Sequence, residues 1–322
     1  MKAIVCSDFG PIENIEYKEV DEPILNKDGI LIKVKSVGVN FPDGLLVQGK
    51  YQLKPETPFI PGMEIAGEVI GLGSDVSDIK IGDRIAALSQ LNGYAEKAAV
   101  NNSSVFKIPA SMSFDDSCAL LCAYGTSHYA LKQRAQLKKG ETLVVLGASG
   151  STGIAAIQIG KIMGAKVIAV SSNIEKQKIA KDNGADLSIG YENLKDKLKE
   201  VTDGKGVDVI FDPVGGDTFE IVARTMARKG RLLVIGFASG AIPKLAVNLA
   251  LVKEFSVVGV FWGAFTRAET DEYKKNMIEL FDWYQKKLIK PLIEESFPLN
   301  EAPKVLEKIL SRGAKGKIIL KP

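Results

Sequence analysis

The residues with the most recognisable chemistry form a glycine-rich turn between an apolar strand and a helix. The segment LVVLGASGSTG, residues 143–153, has Ala148 where the usual motif G-x-G-x-x-G begins, and a helical pattern follows directly. In such a turn Gly150 allows the backbone to approach a pyrophosphate, and Gly153 allows the helix to pack closely on the strand. Because the helix N-terminus adds free N–H groups and partial positive charge, the pattern predicts a dinucleotide site rather than an ordinary turn. The other candidate phosphate contacts here are Gly147, Ser151 and Thr152.

The end of the next strand, KVIAV, bears on which dinucleotide is bound. A site specific for NAD usually has an acid there to accept a hydrogen bond from the ribose 2′-hydroxyl. This chain instead has Ser171, Ser172 and Asn173, and Lys176 follows shortly after. Two hydroxyls and a cation suit the 2′-phosphate of NADPH, since a hydrogen bond between charged groups contributes roughly 1.5–3 kcal/mol. The prediction is NADPH; in the alternative interpretation the serines only cap a helix and Lys176 is solvated.

Composition limits the classes of function. A chain of 322 residues with 46% hydrophobic and 25% charged residues is typical of a soluble protein of about two domains. A net charge of +3 does not indicate a nucleic-acid or membrane partner. No run of eighteen apolar residues occurs, so no membrane span is expected. Three cysteines do not form a disulfide framework, and they favour a reducing cytoplasm.

Two patterns divide the chain. The first ~110 residues show short, partly alternating strands between Gly, Pro and Asp turns, as in an antiparallel sheet or barrel. A helical pattern covers residues 113–137, and strands then alternate with helices up to residue 260. That alternation predicts an α/β fold with a doubly wound parallel sheet, including a helix over 216–228. A long helix over 268–287, a short segment FPLNEA, a helix over 301–311 and a last strand GKIIL follow, and we expect GKIIL to return to the N-terminal domain.

Several segments in order resemble the medium-chain dehydrogenase/reductase superfamily. The block over 61–88 is similar to its glycine-rich stretch ending in Gly-Asp-Arg. The segments VNFPDGLLVQGKYQ, GASGSTG, DPVGGDTF and VVGVFWGAF resemble its zinc-free NADPH:quinone oxidoreductase group, the zeta-crystallins included. The resemblance implies a GroES-like substrate domain, residues 1–121 and 264–322, and a Rossmann domain, residues 122–263, with the active site in the cleft between them.

The zinc alcohol dehydrogenases of the same superfamily are a testable alternative. Catalytic zinc takes about three Cys, His or carboxylate ligands. At the places where those enzymes have ligands, this chain has Val39, Asn40 and Met63, and only Cys122 matches a former ligand. The expectation is that no metal is bound. Cys118 and Cys122 are interpreted as small buried hydrophobes, and the single histidine, His128, as a packed helical residue.

Reduction of an electron-poor acceptor does not require a Lewis acid, whereas alcohol oxidation without zinc is poorly supported. The resemblance implies Asn40 beside the nicotinamide as a candidate hydrogen-bond donor, Asp43 as a turn residue or acid, and Tyr51 at the mouth of the cleft. Tyr51 is expected either to donate to a quinone oxygen or to pack in a surface turn. Leu45 replaces a second tyrosine of some relatives, so a mechanism with a tyrosine pair is in doubt.

On the cofactor side, the resemblance implies Thr126 under the nicotinamide and Tyr191 joining Lys176 near the 2′-phosphate. Met63 and the pair Phe261–Trp262 are expected either to line the substrate pocket or to pack in the core. The further candidate cofactor contacts are Gly215, Phe237, Val260 and Phe261.

The sequence therefore predicts a cytoplasmic, NADPH-dependent, zinc-free reductase of quinones or similar electrophilic carbonyl compounds, and the family resemblance implies a homodimer. The strand over 255–260 is where the sheet is expected to extend across that dimer. One alternative is an enone or enoyl-thioester reductase acting on a C=C bond. The other is a low-turnover NADPH-binding structural or RNA-binding protein, for which no basic stripe interleaved with aromatics is found.

Overall fold

The structure is a computed structural model that describes all 322 residues. The chain forms two compact units. The first contains residues 1–122 and 291–322, and the second contains residues 123–290. None of the helices combines the length and the apolar composition needed to span a bilayer.

Residues 1–129 contain seven strands and two helices. The strands are β1 (Lys2–Val5), β2 (Glu16–Glu19), β3 (Gly29–Gly38), β4 (Glu64–Leu72), β5 (Arg84–Leu88), β6 (Lys97–Asn101) and β7 (Val105–Lys107). The helices are α1 (Phe41–Val47) and α2 (Phe114–Tyr129). A π-helical turn, Ala130–Arg134, continues α2, so the helical pattern predicted over 113–137 is present but changes its hydrogen bonding near its end.

Strands and helices alternate over the next 150 residues. They are β8 (Thr142–Leu146), α3 (Ser151–Ile162), β9 (Lys166–Val170), α4 (Ile174–Asp182), β10 (Leu187–Ile189), α5 (Leu194–Val201), β11 (Val207–Asp212), α6 (Asp217–Ala223), β12 (Met226–Val234), α7 (Asn248–Lys253), β13 (Ser256–Gly259), α8 (Trp262–Ala268) and α9 (Thr270–Gln285). Two boundaries differ from the sequence prediction. The helix expected over 216–228 ends at Ala223 because β12 already begins at Met226, and the long helix expected over 268–287 is divided into α8 and α9 at Glu269.

All six strands of the second unit are parallel, in the order β10-β9-β8-β11-β12-β13. Leu146 lies beside Val170, which lies beside Ile189, so three strands end level. The predicted doubly wound parallel sheet is thus confirmed. Its apolar side chains pack against the flanking helices in one buried cluster that includes Val144, Ile168 and Ile210.

The first unit is completed by the C-terminal elements β14 (Ile293–Pro298), α10 (Ala302–Leu310) and β15 (Lys317–Lys321). Its largest sheet has the order β14-β15-β3-β4-β5-β7, and β6 also pairs with β3. β15 runs antiparallel to β3, with Ile319 beside Gly38, so GKIIL returns to the N-terminal unit as expected. β14 is an additional strand that was not predicted, and its last two residues, Phe297 and Pro298, open the short segment FPLNEA.

The C-terminal boundary of the first unit lies at residue 291, whereas the sequence placed it at residue 264. Residues 264–290 belong to the second unit because α8 and α9 pack on the end of α2. A Cβ atom at Gly125 would lie 2.5 Å from the Trp262 ring. The His128 Nε2 atom lies 2.8 Å from Glu279 Oε2 on α9.

Candidate active site

Three strand ends of the first unit converge on a buried group of charged side chains. Glu64 begins β4 and Lys317 begins β15, and both strands pair with the C-terminal half of β3. Asn40 follows β3 by two residues and stands at the N-terminus of α1. Glu64 is 0% exposed and Lys317 is 2% exposed, whereas Asn40 is partly exposed. A buried ion pair therefore lies directly behind an accessible amide.

Each of these three side chains contacts the other two through a hydrogen bond or an ion pair. The Lys317 ammonium forms an ion pair with Glu64 Oε2 and donates to Asn40 Oδ1 at 2.8 Å. Asn40 Nδ2 donates to Glu64 Oε2 at 3.0 Å and to the carbonyl of Gly38 at 3.2 Å. Glu64 Oε1 accepts from the backbone N–H of Cys122 at 2.6 Å. Burial lowers the pKa of the Lys317 ammonium, but the opposing effects together, of which the Glu64 carboxylate is the largest, outweigh burial, and the net direction of the pKa is upward.

The ion pair of Glu64 and Lys317 leaves room only for glycine at position 38. A Cβ atom at Gly38 would overlap Glu64 Oε2 and would lie 2.7 Å from Lys317 Cε. Real Cβ atoms essentially never approach another heavy atom so closely, so only glycine leaves room for the lysine stem. Close packing therefore fixes where the ammonium lies.

Asp43 is a fully buried carboxylic acid one turn into α1. Its Oδ2 accepts from the backbone N–H of Asn40 at 2.8 Å and from the Tyr94 hydroxyl at 3.0 Å, while Oδ1 has no hydrogen-bond partner. Burial raises its pKa to about 7, against the opposing effect of the Asn40 N–H, Lys317 and Tyr94. Asp43 thus caps α1, which agrees with its interpretation as a turn residue, and it changes charge near neutral pH.

The environment of the two thiols near this group disfavours their reactive, deprotonated form. Cys118 is fully buried and its Sγ donates to the carbonyl of Glu64 at 3.2 Å. Burial raises the pKa of both the Cys118 and the Cys122 thiol, which disfavours the thiolate. No group of three or more His, Cys, Asp and Glu side chains is placed to hold a metal ion. The positively charged partner of Glu64 is the Lys317 ammonium group.

Tyr51 lies in an irregular segment after α1, partly buried against the hydrophobic core of the first unit. That contact is compatible with the packing role expected of it, and it leaves a donor role as a proposal. Met63, immediately before Glu64, is partly buried.

The second unit gathers the predicted cofactor residues at one edge of its sheet. One candidate follows the carboxyl end of each of the six parallel strands, which is where ligands of doubly wound folds bind. In spatial order along the sheet these are Tyr191, Ser171, Gly147, Gly215, Phe237 and Val260.

The glycine-rich turn has the shape that the sequence predicts. Gly147 has φ +58°, and Gly150 is the N-cap of α3. A Cβ atom at Gly153 would lie 2.5 Å from the carbonyl oxygen of Gly147 and 2.8 Å from Ala148 Cα. A Cβ atom at Gly150 would meet only that same carbonyl oxygen, at 3.5 Å. Gly153 is therefore required for helix packing, whereas Gly150 borders open space. Ser151 and Thr152 form the first turn of α3.

Some of the residues at the predicted 2′-phosphate site, after β9, already form hydrogen bonds within the protein. Asn173 caps α4 by accepting from the backbone N–H of Lys176 at 2.9 Å. The helix cap that the alternative interpretation gave to the serines is therefore made by Asn173. Ser171 is 2% exposed and its Oγ has no hydrogen-bond partner, while Ser172 is exposed. The Tyr191 hydroxyl accepts from the Gly147 N–H at 3.1 Å, a contact with the glycine turn that the sequence did not indicate.

The remaining cofactor candidates lie on neighbouring parts of the second unit. Thr126 is partly buried on α2. Phe261 is 56% exposed, whereas Trp262 is buried against Gly125 and the Tyr273 ring, so Trp262 takes the packing role of the two expected for it. His128 is fully buried, as expected for a packed helical histidine, and burial lowers its pKa.

Two family models match the chain. The alcohol dehydrogenase GroES-like domain matches residues 26–114, and the zinc-binding dehydrogenase family matches residues 151–283. The quinone oxidoreductase-like protein 2 homolog of Nematostella vectensis is 38% identical over 99% of this chain and 88% of its own length. The quinone oxidoreductase of Homo sapiens is 32% identical over 99% of this chain and 97% of its own length.

The chain belongs to the quinone oxidoreductase group of the medium-chain dehydrogenase/reductase superfamily. It is an oxidoreductase by that membership. The solved structure of Escherichia coli quinone oxidoreductase complexed with NADPH is similar throughout, with a TM-score of 0.93, 28% identity and all of both chains covered. The resemblance inferred from the motifs and the predicted fold class are confirmed.

Sequence reasoning missed two members of the buried charge group. Glu64 directly follows Met63 in the block over 61–88 and was given no role of its own, and Lys317 was predicted only as part of a strand. The role of Asp212, the first residue of the segment DPVGGDTF, was also missed: its Oδ1 accepts from the N–H groups of Val214 and Gly215, and its Oδ2 is buried without a partner. For Lys317 the only available signal was a charged residue at the boundary of an apolar strand.

Proposed function

We propose that this chain is an NADPH-dependent oxidoreductase that reduces quinones or similar electrophilic carbonyl compounds. The observation that carries the proposal is the level carboxyl edge of the parallel sheet, where six candidate cofactor residues follow six strands. The relatives named quinone oxidoreductase and the NADPH complex of the Escherichia coli protein support it. When bound, NADPH supplies the hydride that the acceptor receives.

The residues of the second unit fit this cofactor. The open space beside Gly150 accommodates a pyrophosphate next to the N-terminus of α3. The unpartnered Oγ of Ser171 offers an unused hydrogen-bonding group at the corner where a 2′-phosphate is expected, and Ser172 and Lys176 lie on the same turn. Tyr191 connects that corner to the glycine turn through Gly147. Further contacts are assigned to Thr126, Gly215, Phe237, Val260 and Phe261.

In the first unit we assign the contacts with the electron-accepting substrate and the nicotinamide to Asn40 and Tyr51. Asp43 is assigned the role of positioning Asn40. Asp43 accepts from the backbone N–H of Asn40 and thereby fixes the start of α1. Both side-chain hydrogens of Asn40 are already bonded, so Tyr51 is the candidate donor to the carbonyl oxygen on which charge develops. Replacement Tyr51→Phe tests this role through kcat.

The test is NADPH consumption with matched panels of quinones and α,β-unsaturated carbonyl compounds, with NADH as the control cofactor. Rapid oxidation of NADPH by ortho- or para-quinones and little by enals supports the proposal. Turnover of enals or enoyl-thioesters instead assigns the chain to C=C reduction. Tight NADPH binding without turnover of any acceptor contradicts an enzymatic role.

The proposed assembly is a homodimer formed through β13. β13 is the edge strand of the sheet, and its residues Ser256, Val257 and Gly259 are exposed. Exposed Leu251 and Val252 on α7, 79% and 78% accessible, lie just before it in the chain. Antiparallel pairing of two such edges is self-complementary, as a twofold interface requires. Light scattering of wild type and Val257→Lys tests the dimer, and a monomeric wild type contradicts it.

The proposed location is the cytoplasm. All three cysteines are free, which agrees with a reducing compartment. Fractionation of cells that express the untagged chain tests this assignment.

A further inference from the structure

The amide of Asn40 is held in one orientation by the chemistry of its two neighbours. The Lys317 ammonium can only donate hydrogen bonds, and an ionised carboxylate such as that of Glu64 can only accept them. Lys317 meets Oδ1 at 2.8 Å and Glu64 meets Nδ2 at 3.0 Å. Turning the amide by half a rotation would set N–H against ammonium and C=O against carboxylate. The orientation of Asn40 therefore follows from the ion pair.

This orientation determines what Asn40 can offer to a ligand. The two hydrogens on Nδ2 are bonded to Glu64 and to the carbonyl of Gly38. An amide oxygen has two lone pairs, and Lys317 uses one of them. Asn40 is partly exposed. Its side chain also faces the backbone N–H of Asp43 in a capping box, but that N–H is bonded at 3.0 Å to the backbone carbonyl of Asn40. The hydrogen-bonding capacity that the side chain retains is therefore acceptance at Oδ1. Asn40 was expected to be a donor, and the geometry leaves it an acceptor.

Lys317 is itself held in place. Its side chain is almost wholly buried and passes over Gly38, where a Cβ atom has no room. Its backbone N–H donates to the carbonyl of Leu292 at 2.8 Å. Lys321, at the other end of β15, differs: it pairs with Asp115 and its side chain is 40% exposed. The two lysines of one strand thus form a natural pair of test and control.

We propose that Lys317 is a positioning residue of the reaction, which through Asn40 presents a hydrogen-bond acceptor, and no donor, to the bound reactants. The matching ligand group is a hydroxyl or an amide N–H. This inference rests on the proposed function, since it concerns the same reaction.

Two double variants separate positioning from charge. Lys317→Met with Glu64→Gln removes both charges together, so neither is left buried alone, and it frees the Asn40 amide to rotate. Asn40→Asp with Glu64→Gln moves the negative charge to position 40, where both oxygens accept and Lys317 keeps a partner. Lys321→Met is the control for loss of a lysine from β15.

Steady-state kinetics gives the main readout. The first double variant is expected to lose about tenfold in kcat, the scale of one misdirected hydrogen bond. Its NADPH affinity is expected to stay within about twofold, because neither substituted residue belongs to the glycine turn or to the second unit. The charge-moved variant is expected to recover most of the lost kcat, and Lys321→Met to match wild type. An unchanged kcat in the first double variant overturns the proposal, as does a charge-moved variant that is no better.

Hydrogen exchange of the Asn40 side chain provides a readout without turnover. The two Nδ2 hydrogens, assigned in ¹⁵N-asparagine-labelled protein by their absence in Asn40→Ala, are expected to exchange slowly in wild type and at least about tenfold faster in Lys317→Met/Glu64→Gln. Equal exchange in both overturns the orientation. If wild type reduces no acceptor, the proposed function fails, and the exchange rates alone then decide whether Lys317 orients Asn40.

Discussion

The two units build their candidate sites from different materials. In the second unit the site consists mainly of backbone: a glycine turn, a helix N-terminus and the ends of six parallel strands. In the first unit it consists of side chains whose polar atoms bond to one another, namely Asn40, Glu64 and Lys317. The backbone site depends on the absence of side-chain atoms, and the side-chain site depends on the balance of charge.

This difference predicts opposite sensitivities. Adding one carbon atom at Gly153 should damage the second unit, because the glycine turn leaves no room for it. Removing one charge should damage the first unit most, because a buried charge without its partner is costly. The following experiments test that contrast, beginning with the largest expected effect.

Replacement Lys317→Met is expected to destabilise the protein by about 3–5 kcal/mol, the usual cost of breaking a buried pair from one side. Glu64 is 0% exposed and would lose its counter-ion. Urea unfolding at neutral pH measures the loss.

The control for this experiment is Lys317→Met combined with Glu64→Gln. The pair is then neutral on both sides, so we expect most of the lost stability to return. A double variant as unstable as the single one would show that packing of the lysine stem, and not charge balance, stabilises the first unit.

Replacement Asp43→Asn is expected to flatten the pH dependence of stability by about 2–4 kcal/mol between pH 4 and pH 8. The pKa of Asp43 is raised by burial from its ordinary 3.8 to about 7. Between these values the folded protein keeps the proton and the unfolded chain has lost it, so stability falls as pH rises and levels off above pH 7. The free energy of unfolding at four pH values, wild type minus variant, isolates this contribution.

If wild type and Asp43→Asn show parallel pH profiles, Asp43 is already ionised in the folded protein at acid pH. The first unit would then hold two buried carboxylates against one ammonium. The buried charges of the first unit would then not be balanced, although the burial of Asp43 indicates a neutral carboxyl group.

The same contrast explains what the sequence could predict. The glycine turn was predictable because its residues are contiguous in the sequence. A positive φ angle or a close approach of the backbone requires glycine at that same position, so the requirement is visible in the local sequence. Lys317 and Glu64 are 253 positions apart, and no motif indicates that they are partners. Their pairing depends on β15 returning to β3, a register that strand patterns do not specify. β15 was predicted to return, but not which of its residues would meet Glu64.

The helix-versus-strand errors have a similar origin. The helix expected over 216–228 is cut short because β12 begins at Met226, although residues 226–230 have no strong strand pattern. The alignment of Met226 with Val207, before a register shift in the pairing with β11, stabilises this early start. Tertiary pairing here overrides the local preference.

Two glycine variants test the second unit. A Cβ atom at Gly153 would meet backbone at 2.5 Å, so Gly153→Ala is expected to destabilise the protein by about 1–3 kcal/mol. Gly150→Ala meets nothing closer than 3.5 Å and should leave stability unchanged while weakening NADPH binding about tenfold. Thermal unfolding and fluorescence titration with NADPH measure the two effects. Equal binding by Gly150→Ala and wild type would place the pyrophosphate elsewhere.

The smallest expected effect concerns a side chain at the backbone site. Lys176→Ala is expected to lower the preference for NADPH over NADH about tenfold, through loss of one charged hydrogen bond to the 2′-phosphate. Lys178→Ala on the same helix is the matched control, since Lys178 pairs with Asp182 and its side chain is 75% exposed. The ratio of kcat/KM for the two cofactors is the measurement. If both variants keep the wild-type ratio, Lys176 has no part in the discrimination, which then comes from the hydroxyls of Ser171 and Ser172 and from the backbone of their turn.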